Sequence, residues 1–452
     1  MSIFKACDIR GVAGSELTDV MTRKIALAVG TKLAGKIVVV GGDIRLSTPR
    51  LQKIFIDALV ESGCQVMDIG TVATPVFYFA LKQCHADGGV MITASHNPAR
   101  YNGFKLVFGP NPASEEDITE IGSLVAAGDR VSGNGSVQAI SVREEYFSFT
   151  AAKALPGRLK VVVDAGNGAT APFAARLFRR LGYDVVELYG DADGSFPNRP
   201  PNPALAPNLA ALAELVRQSG AALGVAFDGD GDRVGFVDET GRAVDNDDIL
   251  VLLARCYLAQ TKGTIVYDAK CSMVVPEEIT KAGGRPVMAR AGHTFSKAAF
   301  QREQALLAGE ISGHFFLSEL GYDDAMFAGL KVAALVEQQG SLAAQIDSIP
   351  NYLLTPDVRV PYLGNDKEII LEQAAQKLAQ YQPNRIDGVR IDFADGWAMI
   401  RSSVTEPLFT LRFEAKTANR LREIAKVLLS ALPQELQQDI ATALPAELCK
   451  VR

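Results

Sequence analysis

A strand and helix pattern that repeats three times is the feature that most constrains the fold of this chain. Each copy begins with a β-branched run ending in small or acidic residues, at 36–43 (KIVVVGGD), 159–166 (LKVVVDAG) and 263–268 (GTIVYD). A helix-like segment, a second Gly-led run and later a third run follow in every copy. Strands that alternate with helices favour mixed, largely parallel sheets covered on both faces. The repetition therefore predicts three similar α/β domains.

The third run of each copy ends in a loop rich in reactive side chains. These loops are 93–98 (TASHNP, the serine loop), 228–233 (DGDGDR, the metal loop) and 309–314 (GEISGH, the sugar loop). Ligand sites in α/β sheets collect beyond the ends of the strands. Three such ends that meet in one cleft would form a composite active site.

The C-terminal part of the chain follows a different pattern. Apolar and polar residues alternate over 408–414 (LFTLRFE), which is typical of a half-buried strand, and apolar residues at helical spacing follow over 421–432. We therefore predict an α/β fold of three similar mixed α/β domains plus a C-terminal α+β domain around one central cleft. The expected limits are 1–150, 151–253, 254–357 and 358–452.

Three aspartates at alternate positions, Asp228, Asp230 and Asp232, follow the apolar run at 223–227. Three closely spaced carboxylates cannot all stay ionised side by side without a cation between them. The intervening glycines allow the backbone to turn all three toward one centre. Arg233 follows at once and can bind an anion that the metal also touches. The spacing predicts a Mg²⁺ site built for a phosphorylated ligand.

Two further interpretations of the metal loop stay open at this stage. In an EF-hand calcium loop the aspartates would take positions one, three and five, with Glu239 at position twelve. Arg233 stands at position six, however, where the sharp turn needs Gly. The flanks at 222–227 and 234–238 also resemble strands, whereas an EF-hand needs helices. The third interpretation is a solvated acidic turn without a metal.

The loop at 401–407 (RSSVTEP, the clamp loop) joins two predicted strands of the C-terminal part. A guanidinium and three hydroxyls within five residues form a suitable clamp for a phosphate group. The alternative is an ordinary polar turn between two strands.

Charge, cysteine usage and hydropathy argue against several classes of protein. The net charge of −6 disfavours a nucleic-acid-binding surface. The six cysteines include no CxxC pair, which indicates reduced thiols in a cytoplasmic protein. No signal peptide is visible, and no uncharged apolar run reaches the ~18 residues that span a bilayer. We expect a cytoplasmic protein with neither a membrane nor a nucleic acid as partner.

Five motifs in this order resemble those of the α-D-phosphohexomutase superfamily, and in particular its bacterial phosphomannomutase/phosphoglucomutase members. They are 4–11 (FKACDIRG), 93–105 (TASHNPARYNGFK), 228–233, 309–314 and 401–407, so the resemblance extends over the whole chain. It implies a C-terminal domain like that of TATA-box-binding protein. It also implies reversible phosphoryl transfer between the 6- and 1-positions of mannose or glucose phosphates, through a phosphoserine and a hexose 1,6-bisphosphate that also activates the enzyme.

The resemblance also implies roles for individual residues. Ser95 matches the phosphoserine, and one of its phosphate oxygens would join Asp228, Asp230 and Asp232 around Mg²⁺. A second set matches residues that handle protons and the reacting phosphoryl group: Lys105, His96, Arg10 and Arg233.

Substrate contacts are implied for seven residues of the third and fourth domains. Glu310 and Ser312 match a pair that grips sugar hydroxyls, and on an extended loop their side chains would point to the same side. The remaining matches are Lys270 and His293, and the distal-phosphate clamp of Arg401, Ser403 and Thr405.

Two positions depart from the superfamily pattern, and both concern substrate binding. Cys7 stands where Tyr is common, and Val404 stands where Asn or Gly is usual, so either could shift the sugar preference.

A phosphoglucosamine mutase is the competing enzyme class, although its relatives usually carry Gln where Ile311 stands. A catalytically weak paralogue that binds sugar phosphates would share the same loops, whereas a serine phosphatase would release inorganic phosphate and would not need the sugar loop. We expect small hexose phosphates as ligands, and a monomer or weak homodimer.

Overall fold

The fold is seen in a computed structural model that describes residues 3–6, 8–403, 407–443 and 450–451. Its first domain contains β1 (Ile9–Val12), α1 (Asp19–Lys32), β2 (Ile37–Gly42), α2 (Thr48–Glu61), β3 (Gln65–Thr71), α3 (Thr74–Gln83), β4 (Gly88–Ile92), β5 (Tyr101–Phe108), β6 (Asn111–Pro112), α4 (Glu115–Ala127) and β7 (Ser136–Ala139). The sheet runs β1-β5-β4-β2-β3-β7, with β6 on β5. Strand β2 is parallel to β3 and β4, whereas β5 is antiparallel to β4.

The second domain repeats this plan with fewer strands. After α5 (Arg143–Ala151) come β8 (Lys160–Asp164), α6 (Ala174–Arg180), β9 (Asp184–Leu188), a short 3₁₀ helix (Ala206–Leu209), α7 (Ala210–Ser219), β10 (Leu223–Phe227), β11 (Val234–Asp238) and β12 (Ala243–Val244). The sheet order is β12-β11-β10-β8-β9.

The third domain has the same strand order as the second. Its elements are α8 (Asn246–Gln260), β13 (Thr264–Asp268), α9 (Val274–Lys281), β14 (Arg285–Ala289), α10 (His293–Arg302), β15 (Leu307–Gly309), β16 (Phe315–Leu317), β17 (Tyr322–Asp323), α11 (Ala325–Gln339) and α12 (Leu342–Asp347). The sheet order is β14-β13-β15-β16-β17. In every copy the first strand lies between the second and the third and is parallel to both. The predicted threefold repeat is confirmed.

The C-terminal domain is an antiparallel sheet with helices. It contains β18 (Leu353–Leu354), β19 (Val358–Pro361), α13 (Lys367–Lys377), a 3₁₀ turn (Ala379–Tyr381), β20 (Val389–Phe393), β21 (Gly396–Ser402), β22 (Leu408–Ala415), α14 (Ala418–Ser430), α15 (Gln434–Ala443) and β23 (Lys450–Val451). The predicted α+β class is confirmed. The expected limits between domains remain predictions, and the limit at 253/254 falls within α8.

Local sequence signals explain where several helices begin and end. Thr18 caps α1 by accepting a hydrogen bond from the Met21 amide. Ser114 and Asp117 form a reciprocal capping box at the start of α4, which ends at Gly128 in the left-handed conformation. Side-chain oxygens satisfy free amides at helix starts, and glycine adopts a positive φ without a steric penalty.

The apolar core joins the three α/β domains into one packed body. One continuous cluster of buried side chains extends from Val39 in the first domain through Phe173 to Ile349 at the end of the third. The C-terminal sheet and helices have their own core. A small cluster around Trp397 joins that domain to Ala269 of the third domain. Among the described residues, no helix has the length and apolarity required to cross a bilayer.

Candidate active site

The serine loop places Ser95 directly beyond β4 in a strained backbone conformation. Ser95 has φ of 47°, a left-handed value that is uncommon for residues with a Cβ. Its side chain is buried, and Oγ donates a 2.8 Å hydrogen bond to Asp228 Oδ2. His96 Nδ1 lies 3.3 Å from the same oxygen. The serine of the first domain therefore meets the metal loop of the second, as the cleft hypothesis requires.

The three aspartates of the metal loop converge, and all are fully buried. Asp228 Oδ1 accepts hydrogen bonds from the amides of Gly231 and Arg233 at 2.8 and 3.2 Å. Asp230 Oδ2 accepts one from Thr74 Oγ1 at 2.7 Å. Carboxylate oxygens of the three residues lie within 4.8 Å of one another. Their complete burial is incompatible with a solvated acidic turn.

The donor set of this loop fits a divalent cation. Asp230 Oδ1 and Asp232 Oδ1 are buried without a hydrogen-bond partner among the described residues. Buried charged oxygens of this kind are costly unless a cation satisfies them, and oxygen ligands suit Mg²⁺. The EF-hand interpretation is wrong, because the flanking segments are the antiparallel strands β10 and β11.

Two cationic or titratable groups border the aspartates. Lys105, on β5, donates to Asp230 Oδ2 at 2.7 Å and also to Asp232 Oδ2. Burial alone would lower the pKa of Lys105, but the two carboxylates outweigh burial and raise it. Burial and the charges of Arg233 and Arg10 lower the pKa of His96 well below its usual range. At neutral pH, Lys105 is therefore charged and His96 is neutral.

A cavity between the first three domains brings together more of the predicted residues. It is lined in part by Arg10, Lys105, Arg233 and His293. Arg10, on β1, donates to Asn97 Oδ1 at 3.0 Å and pairs with Asp8 at 2.6 Å. These side chains surround one space next to the serine and metal loops.

The sugar loop is a tight turn, so the expected extended conformation is wrong. The amide of Gly313 donates to the Glu310 carbonyl at 3.0 Å, and the amide of Glu310 donates to the His314 carbonyl at 3.0 Å. Ser312 Oγ donates to Glu310 Oε2 at 2.8 Å. Glu310 Oε1 is buried and has no hydrogen-bond partner among the described residues. The turn thus places this buried carboxylate group beside a hydroxyl.

Lys270 is tied to the sugar loop through one buried carboxylate. Asp268 Oδ1 accepts from the Lys270 amide at 2.6 Å, and its Oδ2 accepts from the Ile311 amide at 3.0 Å. Burial raises the pKa of Asp268 to about 6, although Lys270 opposes the shift. The ammonium of Lys270 lies 3.2 Å from Asp357.

The clamp loop is described in part. Arg401 Nε lies 2.9 Å from Asp387 Oδ2, and Asp387 also accepts from the Ala291 amide at 3.3 Å, two residues before His293. Ser403 follows β21 and its amide donates to the Leu408 carbonyl at 3.0 Å. Thr405, Val404 and Cys7 lie outside the described residues.

Several residues of the site were not predicted from the sequence. His314 lies in the sugar loop, and its Nε2 accepts from Arg233 Nε at 2.9 Å. Asp323 accepts from both His314 and His293 at 2.8 and 3.0 Å. Tyr78 lines the central cavity. The sugar-loop motif could have indicated His314, whereas no local pattern distinguishes Tyr78.

Comparison with known proteins agrees with this arrangement. Four sequence families match in order: phosphoglucomutase/phosphomannomutase alpha/beta/alpha domains I, II and III at 1–131, 141–241 and 245–352, and the C-terminal domain at 358–431. A phosphomannomutase/phosphoglucomutase of Pseudomonas aeruginosa is 39% identical over 442 residues, which cover 95% of each chain. The chain belongs to the phosphoglucomutase/phosphomannomutase family.

Two further comparisons support membership of the phosphoglucomutase/phosphomannomutase family. A phosphoglucomutase of Neisseria meningitidis is 36% identical over 93% of this chain and 95% of its own. The crystal structure of a phosphoglucomutase/phosphomannomutase family protein from Burkholderia thailandensis superposes with a TM-score of 0.88 at 34% identity, over 99% of this chain and 98% of its own. The predicted superfamily, fold class and isomerase class are confirmed.

Proposed function

We propose that this enzyme interconverts the 6- and 1-phosphates of mannose and glucose through a phosphorylated Ser95. One observation carries the proposal: Ser95 Oγ lies 2.8 Å from Asp228 Oδ2, in a buried site that also holds two carboxylate oxygens with no hydrogen-bond partner among the described residues. A serine hydroxyl is a weak nucleophile by itself. Beside a cation site and Lys105, it is suited to carry a phosphoryl group that is passed to and from a sugar.

The transfer exchanges one oxygen–phosphorus bond for another. The bond between Ser95 Oγ and phosphorus breaks as the sugar hydroxyl oxygen binds phosphorus, and the proton of that hydroxyl passes to Oγ. In the return step, the hexose 1,6-bisphosphate gives its other phosphoryl group to Ser95, and the proton of Oγ passes to the sugar oxygen that leaves phosphorus. Neutral His96, with Nδ1 3.3 Å from Oγ, can accept the proton from Oγ and pass it on. Charged Lys105 and Arg233 lower the cost of the negative charge that builds up.

The aspartates Asp228, Asp230 and Asp232, together with phosphorylated Ser95, would hold Mg²⁺. When bound, the cation supplies Lewis-acid stabilisation of the phosphoryl group in transfer. The residues of the chain hold the serine in its left-handed conformation and bury the carboxylates from water. The hexose 1,6-bisphosphate is proposed both as the intermediate and as the activator that restores phosphorylated enzyme.

Between the two transfers the bisphosphate must turn end for end. Glu310 Oε1 has no hydrogen-bond partner among the described residues, and Ser312 Oγ donates to the other oxygen of the same carboxylate. The turn can therefore bind two neighbouring sugar hydroxyls in either orientation of the sugar. Arg401, Ser403 and Thr405 would hold the phosphate that does not react, with Lys270 and His293 as further contacts. The cytoplasmic location and the monomeric or weakly dimeric state remain predictions.

A coupled assay with mannose, glucose and glucosamine 1-phosphates side by side, with the 1,6-bisphosphate and Mg²⁺ present, tests the proposal. We expect turnover of the first two and little of the third. Ser95→Ala should abolish nearly all turnover, and mass spectrometry should find one phosphate on the wild-type peptide that contains Ser95. Glu16→Ala, which removes an exposed carboxylate that accepts from the Val12 amide, is the control. Near-normal activity of Ser95→Ala, or release of inorganic phosphate as the main product, would contradict the proposal.

A further inference from the structure

A single buried carboxylate joins the two histidines that stand at the central cavity. Asp323, at the end of β17, is fully buried. Its Oδ1 lies 3.0 Å from His293 Nε2, and its Oδ2 lies 2.8 Å from His314 Nδ1. Both rings line the cavity next to the serine and metal loops. One carboxylate thus contacts one nitrogen of each ring.

The remaining contacts determine which nitrogen of each ring carries the proton. Arg233 Nε can only donate, so His314 Nε2, 2.9 Å away, must be an acceptor. His314 then carries its proton on Nδ1 and donates it to Asp323. Interactions with the two imidazoles outweigh the burial of Asp323 and keep its pKa well below the usual range. An ionised carboxylate only accepts, so His293 Nε2 must also carry a proton, and in the neutral imidazole Nδ1 of His293 is then the acceptor.

A side chain of the first domain restrains the ring of His293 as well. Tyr78, on α3, stacks on His293 with ring centroids 6.0 Å apart and planes 9° apart. Its hydroxyl lies 3.3 Å from His293 Nε2. The ammonium of Lys297 lies 4.2 Å from the centroid of the Tyr78 ring. His293 is therefore restrained from the third domain by Asp323 and from the first by Tyr78.

We infer that Asp323 is a positioning residue for the mutase reaction, which fixes the tautomer and orientation of both His293 and His314, with Tyr78 restraining His293 across the domain boundary. This rests on the proposed function, because that function gives the two imidazoles a sugar phosphate to act on. A fixed tautomer presents an acceptor nitrogen of His293 to the ligand in every turnover. Carboxylates that orient imidazoles in this way have large effects on catalysis although they do not touch the substrate.

Nuclear magnetic resonance of histidine-labelled protein tests the inference directly. The chain contains four histidines, so their ring nitrogens give a simple ¹⁵N spectrum. In the wild type we expect His293 protonated at Nε2 and His314 at Nδ1. An Asn side chain has one carbonyl oxygen and one amide group, so Asp323→Asn can accept from one ring only. One of the two rings should change tautomer, while His85 and His96 keep theirs.

Asp324 provides a matched control at the next position. It is equally buried, but it caps α11 by accepting from the Phe327 amide and also accepts from Tyr146. Asp324→Asn should leave all four tautomers and kcat near wild type. Asp323→Asn should lower kcat roughly 10- to 100-fold, with a much smaller change in KM because the substrate contacts remain.

The outcomes separate the inference from the proposed function. Unchanged tautomers in Asp323→Asn, a normal kcat, or the same spectral change in Asp324→Asn would overturn the positioning role. If Asp323→Asn does not fold, Tyr78→Phe replaces it and should move the His293 ring signals but not those of His314. Failure to move them would also count against the inference. A wild-type protein with the expected tautomers but no mutase activity would refute the proposed function alone.

Discussion

Arginines of their own domain fasten the serine loop of the first domain and the metal loop of the second, whereas in the third domain the segment after the first strand is fastened by the C-terminal domain. In the first domain Arg45 is fully buried and its Nε donates to Asp43, just beyond β2, at 3.0 Å. Its guanidinium also donates to four backbone carbonyls of the serine-loop region, at Ser95, Asn97, Pro98 and Tyr101.

The second domain uses the same device with a residue from a different position in the chain. Arg199 Nε donates to Asp164, the last residue of β8, at 2.7 Å. Its Nη2 donates to the carbonyl of Phe227 at 2.8 Å, directly before the metal loop. Both loops that we propose to handle the phosphoryl group therefore have an arginine support from their own domain.

The third domain ends its first strand with Asp268, but the arginines there come from the C-terminal sheet. Arg390 donates to the Ala269 carbonyl at 2.6 Å, and Arg412 donates to the Lys270 carbonyl at 2.8 Å. Glu414 accepts from the Met273 amide at 2.7 Å. The segment 268–273 thus depends on the fourth domain for its position. The serine and metal loops, proposed to carry out phosphoryl transfer, thus each have an arginine support within their own domain, whereas Lys270, proposed to contact the substrate, depends on the placement of the C-terminal domain.

The largest effect is expected from Arg45→Met. The substitution leaves Asp43 without its buried partner and frees four carbonyls, and the removal of one partner of a buried ion pair typically costs about 3–5 kcal/mol. Folded protein should also lose most of its capacity to phosphorylate Ser95, because the loop loses its support. Chemical denaturation and phosphopeptide analysis measure the two effects. Arg50→Met, which removes an exposed guanidinium 3.2 Å from Asp19, is the control. A stable Arg45→Met protein with fully phosphorylated Ser95 would show that the serine loop does not depend on this arginine.

Arg412→Met should separate binding from chemistry. The loss of a hydrogen bond between a charged group and the Lys270 carbonyl should raise KM about tenfold, which corresponds to about 1.4 kcal/mol. Phosphorylation of Ser95 should remain near wild type, because the serine and metal loops do not use this arginine. Steady-state kinetics and phosphopeptide analysis give the two readouts, and Arg422→Met on the exposed face of α14 is the matched control. A loss of phosphorylation comparable to that of Arg45→Met would show that the domains are not independent in this respect.

The smallest effect concerns the pH dependence of stability at Asp268. Its pKa is raised from 3.8 to about 6 in the folded protein. The folded state therefore binds a proton at Asp268 more tightly than the unfolded state does. The resulting contribution to the free energy of unfolding is fully present below the unfolded pKa, and it is lost as the pH rises through the folded pKa. Asp268→Asn removes that dependence. The free energy of unfolding of the wild type should therefore exceed that of Asp268→Asn by a margin that shrinks by about 1 kcal/mol between about pH 5 and about pH 6.5.

Denaturant titrations of wild type and variant at several pH values measure this difference. Asp193→Asn, at an exposed turn of the second domain, is the control and should give a constant difference over the same range. A pH-independent deficit for Asp268→Asn would contradict the raised pKa of Asp268.

The sequence by itself determined the repeat, the fold class and the identity of the reactive loops. Alternating and continuous apolar runs indicate buried strands locally, so the first, second and third strands of each copy were predictable. Gly, Asp and Ser at the ends of those strands indicate the chemistry of the loops. The convergence of Asp228, Asp230 and Asp232 followed from their spacing. The resemblance to a known superfamily connected those loops to one cleft.

Only the tertiary structure decided how the loops are supported and what restrains the histidines. The supporting arginines look like ordinary charged residues in the sequence, because burial and partners far along the chain determine their role. They are Arg45, Arg199, Arg390 and Arg412. Tyr78 meets His293 across 215 positions of the chain, and no local pattern encodes such a contact. The turn of the sugar loop likewise depends on its pairing between β15 and β16. Sequence patterns report local geometry, whereas hydrogen bonds between distant segments exist only once the domains have packed.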